Sequence, residues 1–206
     1  KVEIITKDKT QTIQTTDPFA ELKKLLGKYD DQRYRYLGGA VGVVNYDAVR
    51  LVEDIDDANE TSEPLMEFGI YDDGIIYDNV HKKLFYFYHD ENRFDKLIMN
   101  EDTFGNFKSS EVIPNMDKDK FSNIVNKAKK YIHDGDIFQV VLSRKFAFDV
   151  TGDNLTLYKT LRKLNPSPYM YHLKQDTKTI IGASPEMLVR ITDDKVETFP
   201  IAGTRK

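Results

Sequence analysis

The sequence contains no cysteine among its 206 residues. This absence excludes disulfide bonds, thiolate nucleophiles and zinc sites built on cysteine. It is compatible with a reducing cytoplasm, where we expect the protein to reside. The chain also lacks a basic excess, because 30 Lys and Arg stand against 34 Asp and Glu and give a formal net charge of −4. We therefore do not expect a protein that binds the phosphate backbone of nucleic acids.

Long apolar runs and metal-binding motifs are missing as well. No uncharged apolar run is long enough to cross a membrane as a helix. The four histidines form no H-E-x-x-H pair, and no segment matches a phosphate-binding glycine loop or a G-x-S-x-G nucleophile turn. Aromatic residues, in contrast, are abundant, with 12 Tyr and 12 Phe. This composition is typical of a chain that folds around a buried core.

Three segments have helical periodicity and an aspartate at the position of an N-cap. The longest is predicted to begin after Asp117 and to end at Gly135, and the next begins after Asp153 and ends before residues 165–168. A shorter helix is predicted after Asp17, which precedes a proline suited to the first helical position.

Strands are predicted where β-branched and aromatic residues cluster or alternate. The longest candidate covers residues 137–150, a turn is expected at residues 72–74, and residues 89–116 form a long connection. The absence of a regular βαβ alternation favours the α+β class with mostly antiparallel sheets packed with helices. The other predicted strands cover residues 1–5, 38–46, 68–71, 75–77, 84–88, 169–173, 179–183, 187–191 and 195–200.

Four segments carry a more specific pattern than these elements. Their order and their residues resemble those of the chorismate-utilising enzymes and, within that family, those of the large subunit (component I) of anthranilate synthase. The resemblance extends from about Gly38 to the end of the chain. The segments are Gly39–Arg50 (GAVGVVNYDAVR), Gly135–Arg144 (GDIFQVVLSR), Asn165–Met170 (NPSPYM), and Ile181–Leu188 (IGASPEML) leading to Pro200–Arg205 (PIAGTR).

The resemblance implies a two-layer α+β fold whose two intertwined halves each carry antiparallel sheets and helices. It assigns residues 1–110 to the N-terminal region and residues 111–206 to the first part of the chorismate-binding catalytic region. Both ends of the chain look cut, so we expect a fragment of that fold that is inactive alone. The family reaction adds ammonia to C2 of chorismate with loss of the 4-hydroxyl, and then eliminates pyruvate to give anthranilate, the first step of tryptophan biosynthesis.

The resemblance also implies partners. Magnesium holds a substrate carboxylate, and its ligands are expected beyond residue 206. A glutamine amidotransferase subunit (component II) supplies the ammonia, and L-tryptophan acts as feedback inhibitor.

Two positions distinguish the members of this family. Isochorismate and salicylate synthases carry a lysine where this chain has Gln139, and that lysine activates water. Aminodeoxychorismate synthases commonly carry a lysine where this chain has Ala202, and its amine attacks the ring covalently. Gln139, a candidate catalytic residue, and Ala202 therefore favour direct attack by ammonia. An aminodeoxychorismate synthase and a non-catalytic tryptophan-binding remnant remain as alternatives.

Five further residues are candidate binding residues on the basis of the resemblance. Gly203 and Thr204 match the pair that binds chorismate, and a backbone N–H and a hydroxyl suit a carboxylate. Pro168, Tyr169 and Met170 match the segment that contacts tryptophan, where an aromatic ring and a thioether can line an indole pocket.

Two further motifs of these segments are interpreted as structural. An ion pair between Asp47 and Arg50 is expected after the first glycine-rich strand. Ser184 and Glu186 are expected to form a turn and a cap.

Overall fold

A computed structural model describes residues 1–27, 34–55, 63–98, 104–175, 178–201 and 203. The chain divides into two compact units, residues 1–100 and 101–206. The division at residue 110 into regions of the family fold stays a prediction. Over the described ranges the chain forms seven two-stranded antiparallel sheets and three α-helices. The α+β class with antiparallel sheets is thereby confirmed.

The first unit consists of three antiparallel strand pairs, one α-helix and two short 3-10 helices. Asp17 caps helix α1 (Pro18–Leu25), as predicted, and its carboxylate accepts the N–H of Ala20. In chain order the elements are β1 (Val2–Ile5), β2 (Thr10–Ile13), α1 (Pro18–Leu25), β3 (Gly39–Val44), a 3-10 helix (Tyr46–Leu51), β4 (Met66–Tyr71), β5 (Asp73–Asp78), β6 (Lys83–Tyr88) and a second 3-10 helix (Phe94–Lys96). The pairs are β1 with β2, β3 with β4, and β5 with β6.

The second unit contains four strand pairs and two longer helices. In chain order the elements are β7 (Phe107–Ser109), β8 (Ile113–Pro114), α2 (Lys118–Asp134), β9 (Phe146–Ala147), β10 (Val150–Gly152), α3 (Asn154–Leu164), β11 (Tyr169–Lys174), β12 (Thr179–Ser184), β13 (Arg190–Thr192) and β14 (Lys195–Glu197). The pairs are β7 with β10, β8 with β9, β11 with β12, and β13 with β14. Helix α3 packs against β11 and β12.

The ends of the helices follow the sequence signals. The Asp117 carboxylate accepts the N–H of Lys120 at 2.7 Å, and Gly135 ends α2 in the left-handed conformation with φ of 85°. The Asp153 carboxylate accepts the N–H groups of Leu155 and Thr156 at the start of α3. Each cap satisfies backbone groups that the first or last turn leaves without an intrahelical partner. The predicted starts of α2 and α3 are confirmed.

Four strand and loop predictions need correction. Residues 137–145 form no strand, because no described strand offers them a hydrogen-bonding partner, and only β9 and β10 remain of the predicted 137–150 strand. No turn occupies residues 72–74, because Asp72 is the only residue between β4 and β5. These two strands do not pair with each other: β4 pairs with β3, and β5 pairs with β6. The predicted connection at 89–116 contains a 3-10 helix, β7 and β8, and the predicted 187–191 strand is limited to β13.

The prediction of a buried core is wrong for the described residues. Ala48, with 7% of its surface exposed, is the only buried hydrophobic residue among them. Aromatic side chains instead contact one another in pairs, as Tyr86 and Phe94 do with ring centroids 5.4 Å apart. A two-stranded sheet has too few strands to cover an apolar face completely, which explains why so many large side chains stay half exposed.

Candidate functional site

An open cleft of about 430 Å³ in the second unit lies where three chain segments meet. The start of β11 and the end of β12 are adjacent because Tyr169 is paired with Ser184 in the antiparallel register. The chain that leaves β14 completes the cleft. Its lining residues are mostly apolar and comprise Pro168, Tyr169, Pro185, Glu186, Met187, Thr198, Phe199, Pro200 and Ile201.

Glu186 connects the end of β12 to the segment that precedes Gly203. Its Oε1 accepts the N–H of Ile201 at 2.8 Å. Ser184 Oγ donates to the carbonyl of Glu186 at 2.9 Å, which forms the expected turn. The predicted turn is confirmed, but no described helix begins or ends here for Glu186 to cap. The additional position of Glu186 in the cleft wall was not predicted, although a carboxylate within the apolar run of residues 185–189 was a signal for it.

The hairpin of β13 and β14 supports the other wall of the cleft. Arg190 Nε donates to Glu197 Oε2 at 2.9 Å, and Lys195 Nζ lies 3.0 Å from Glu197 Oε1. Hydrogen bonds from these two cations hold the pKa of the Glu197 carboxyl below its usual value. The bond from Lys195 has the larger effect, followed by the bond from Arg190. Thr198 Oγ1 donates to the carbonyl of Leu188 at 2.9 Å. The chain therefore leaves β14 in a fixed direction toward the cleft.

The predicted tryptophan-binding residues do not all face this cleft. Pro168 and Tyr169 line it, whereas Met170 is half buried and does not. Successive side chains of a strand point to opposite faces, so Tyr169 and Met170 lie on different sides of β11. The cleft thus brings two of the three residues together with Ile201, two residues before Gly203.

The predicted chorismate-binding pair lies at the edge of the described chain. Gly203 is exposed, and a Cβ built on it meets no atom within 4 Å. Local packing therefore does not require glycine at this position. Thr204 and Ala202 lie outside the described residues.

Gln139 lies elsewhere in the second unit. It is exposed, belongs to the irregular segment 137–145 and is not among the residues that line the cleft. Its neighbour Phe138 is 100% exposed. The described residues therefore do not bring Gln139 together with Pro168, Tyr169 or Ile201.

The ion pair predicted in the first unit is present. Arg50 Nη2 lies 2.9 Å from Asp47 Oδ1 within the 3-10 helix Tyr46–Leu51, and both side chains are about one third exposed. The pair spans three positions and bridges one turn of this helix. The prediction of a structural Asp–Arg pair is confirmed.

Neither a metal-binding cluster nor a membrane-spanning helix occurs in the part of the chain that the structure describes. No three His, Asp or Glu side chains come together there in a way that could hold a metal ion. The described residues therefore do not fit a magnesium site. Nor do they include a helix with the length and apolar character needed to cross a bilayer.

Comparison with known proteins decides the family. The sequence profile described as "chorismate binding enzyme" matches residues 1–206. The chain belongs to the chorismate binding enzyme family. Among curated relatives, it is 36% identical over 207 residues to anthranilate synthase component 1 of Methanothermobacter thermautotrophicus, covering 99% of this chain and 44% of that protein. It is 42% identical over 172 residues to the same component of Saccharolobus solfataricus, covering 82% and 40%.

A solved structure agrees with this assignment. The crystal structure of anthranilate synthase component I from Streptococcus pneumoniae matches with a TM-score of 0.69 at 29% identity, covering 89% of this chain and 46% of that chain. The predicted resemblance to component I is confirmed. The chain spans less than half the length of these relatives.

Proposed function

We propose that the gene product containing this chain is an anthranilate synthase component I that converts chorismate and ammonia to anthranilate and pyruvate. The family match over the whole chain supports the use of chorismate. Gln139 and Ala202 support direct attack by ammonia, since related enzymes that catalyse other reactions have lysine at one of these two positions. The curated relatives named above bear the same enzyme name.

The proposed reaction consists of an addition step and an elimination step. Ammonia forms a bond to C2 of the chorismate ring while the 4-hydroxyl leaves as water. The enolpyruvyl group then leaves as pyruvate, and the ring loses a proton and becomes aromatic. The neutral amide of Gln139 has no basic pKa near neutral pH, so it cannot take a proton from water as lysine does. This property favours ammonia over water as the nucleophile.

Tryptophan is the proposed feedback inhibitor, with Pro168, Tyr169 and Met170 as candidate contacts. The open cleft supports Pro168 and Tyr169, which line it, because its volume falls in the range of about 300–1,000 Å³ typical of small-molecule sites and its lining is mostly apolar. Gly203 and Thr204 remain the proposed chorismate-binding residues. The glutamine amidotransferase partner and a cytoplasmic location stay predictions. Magnesium stays a prediction too, and no step here passes through it.

Product analysis of the complete gene product tests the proposal. With chorismate, ammonium and magnesium we expect anthranilate and pyruvate in equal amounts. Gln139→Lys supplies an amine that can activate water, so a hydroxylated ring product should appear. Gln139→Met, of similar size and without a base, is the matched control and should yield none. Formation of aminodeoxychorismate or isochorismate by the wild-type protein would overturn the proposal.

Two further assays address the alternatives. The 206-residue chain alone should give no anthranilate fluorescence above a blank, as the resemblance implies. Calorimetry with tryptophan tests the binding remnant, and binding by the 206-residue chain alone would support it. A complete gene product that consumes chorismate would count against the remnant whether or not it binds tryptophan.

A further inference from the structure

Residues 136–145, the anchored segment, carry Gln139 and connect the two ends of α2. The first anchor is the C-terminal cap of the helix. Gly135 adopts the left-handed conformation, and its N–H donates to the carbonyl of Ile132. The N–H of Asp136 donates to the carbonyl of Tyr131 at 3.0 Å. These bonds fix the direction in which the chain leaves the helix.

The second anchor lies just before the start of α2. Arg144 Nε donates to the carbonyl of Met116 at 2.9 Å. Asn115 holds Lys145 from both sides, because its N–H donates to the carbonyl of Lys145 at 2.9 Å and its Oδ1 accepts the N–H of Lys145 at 3.0 Å. The Arg144 guanidinium also lies 4.8 Å from the ring centroid of Phe146.

The distance between the anchors keeps the segment extended. Helix α2 has 17 residues and is therefore about 25 Å long. The ten residue steps from Gly135 to Lys145 reach about 35 Å at most. Most of that reach is needed to span the helix, so the segment is drawn out although it has no partner strand among the described residues.

Side-chain packing does not fix the middle of this segment. Phe138 is 100% exposed and Val141 is 84% exposed. Gln139, between them, is exposed too. Among the described residues, the two anchors therefore fix the Gln139 backbone more than the contacts of its neighbours do.

We propose that Arg144 and Asn115 are positioning residues that hold Gln139 at the place where the nucleophile is selected, an inference that rests on the function proposed above. Arg144 suits this task because a planar guanidinium can donate to a carbonyl while it stacks on an aromatic ring. Lysine can donate but lacks the planar stacking group. Neither residue touches the substrate in this account; both act through Gln139.

Kinetics of the complete gene product test the inference. Arg144→Met should raise the KM for ammonium about tenfold, the scale of one lost hydrogen bond, and leave kcat within about twofold. Arg144→Lys should recover part of the loss. Asn115→Leu should act like Arg144→Met, whereas Asn115→Asp keeps an acceptor for Lys145 and should change little. Arg162→Met, which removes an exposed arginine of α3, is the matched control.

Double mutants distinguish positioning from general stability. If Arg144 acts through Gln139, Arg144→Met should add nothing to the KM for ammonium in a Gln139→Met background. A purely structural role would lower the active fraction, and hence kcat, in both backgrounds without changing this KM. Additive effects on KM, or an effect on kcat alone, would overturn the inference.

A spin-label distance provides a readout that does not depend on activity. The chain has no cysteine of its own, so labels can be placed on Val141→Cys and Lys129→Cys, both exposed positions. We expect a narrow distance distribution that Arg144→Met broadens and Arg162→Met does not. An unchanged distribution in Arg144→Met would contradict the anchoring. If the wild-type protein makes no anthranilate, the proposed function fails, and the distances still decide whether the anchors hold the segment.

Discussion

The β11–β12 hairpin and most of the anchored segment are both predicted as strands, but their structures differ. Both are rich in β-branched and aromatic residues, which is typical of strands. The hairpin pairs over six residues in each strand, and α3 packs against it. The anchored segment spans the length of α2 but makes no ladder with any described strand. Composition therefore favours a strand, whereas a sheet also needs a neighbouring strand in register.

The largest effect is expected from a side chain added inside the hairpin. Gly182 is paired with Tyr171, and a Cβ at this position would overlap the Tyr171 ring. Gly182→Val should therefore destabilise the protein by about 1–3 kcal/mol, as overpacking typically does. Thermal unfolding measures this change. Adding Tyr171→Ala removes the ring and should recover part of the loss. If Gly182→Val alone is as stable as the wild type, the Tyr171 ring does not occupy this space.

Loss of the cap of α3 should have a smaller effect on the same region. Asp153→Ala leaves the N–H groups of Leu155 and Thr156 without their acceptor, so we expect Tm to fall by a few degrees. Asp153→Asn retains a capping side chain and should lose less. Amide hydrogen exchange in β11 and β12 should be faster in Asp153→Ala than in Asp153→Asn. Equal exchange rates in these two variants would argue against the cap.

Acid should weaken the helix cap without affecting either anchor. The side-chain hydrogen bond from Thr156, followed by the backbone N–H of Leu155, lowers the pKa of the Asp153 carboxyl. A folded pKa below the unfolded value of about 3.9 means that this stabilisation is present above pH 4 and is lost as pH falls through the folded pKa. Unfolding measured against pH should therefore show a smaller acid-dependent loss in Asp153→Asn. Identical pH profiles would contradict this assignment.

The smallest effect is expected in the middle of the anchored segment. Phe138 is fully exposed, so Phe138→Ser should change the free energy of unfolding by less than about 0.5 kcal/mol. Denaturant unfolding of the complete gene product checks this. A loss of more than about 1 kcal/mol would contradict the exposure of Phe138.

Local signals predicted the helices well because caps act over a few residues. Asp117, Asp153 and Gly135 define helix ends through bonds to neighbouring backbone groups. Strand pairing involves distant residues, and the sequence gives no local sign of it. Residues 72–74 have the composition of a turn, yet Asp73 and Gly74 belong to β5 because their partners lie in β6.

The candidate site was predictable in its segments but not in its arrangement. The motifs identified Pro168, Tyr169 and the chain before Gly203, and the cleft brings these together. The register that pairs Tyr169 with Ser184, and the bond from Ile201 to Glu186, depend on tertiary structure. Gln139 was assigned through the resemblance alone, and its position outside the cleft could not be derived from its neighbours.

In the proposed reaction ammonia and not water attacks C2 of the chorismate ring, and isotope labelling distinguishes the two nucleophiles and the position of attack. The complete gene product is given chorismate, magnesium and ¹⁵N-ammonium in ¹⁸O-water, and the products are analysed by mass spectrometry. We predict anthranilate that carries ¹⁵N and no ¹⁸O, together with an equal amount of pyruvate. A ring product labelled with ¹⁸O would contradict the claim, and so would an amino group at C4 with the enolpyruvyl side chain retained.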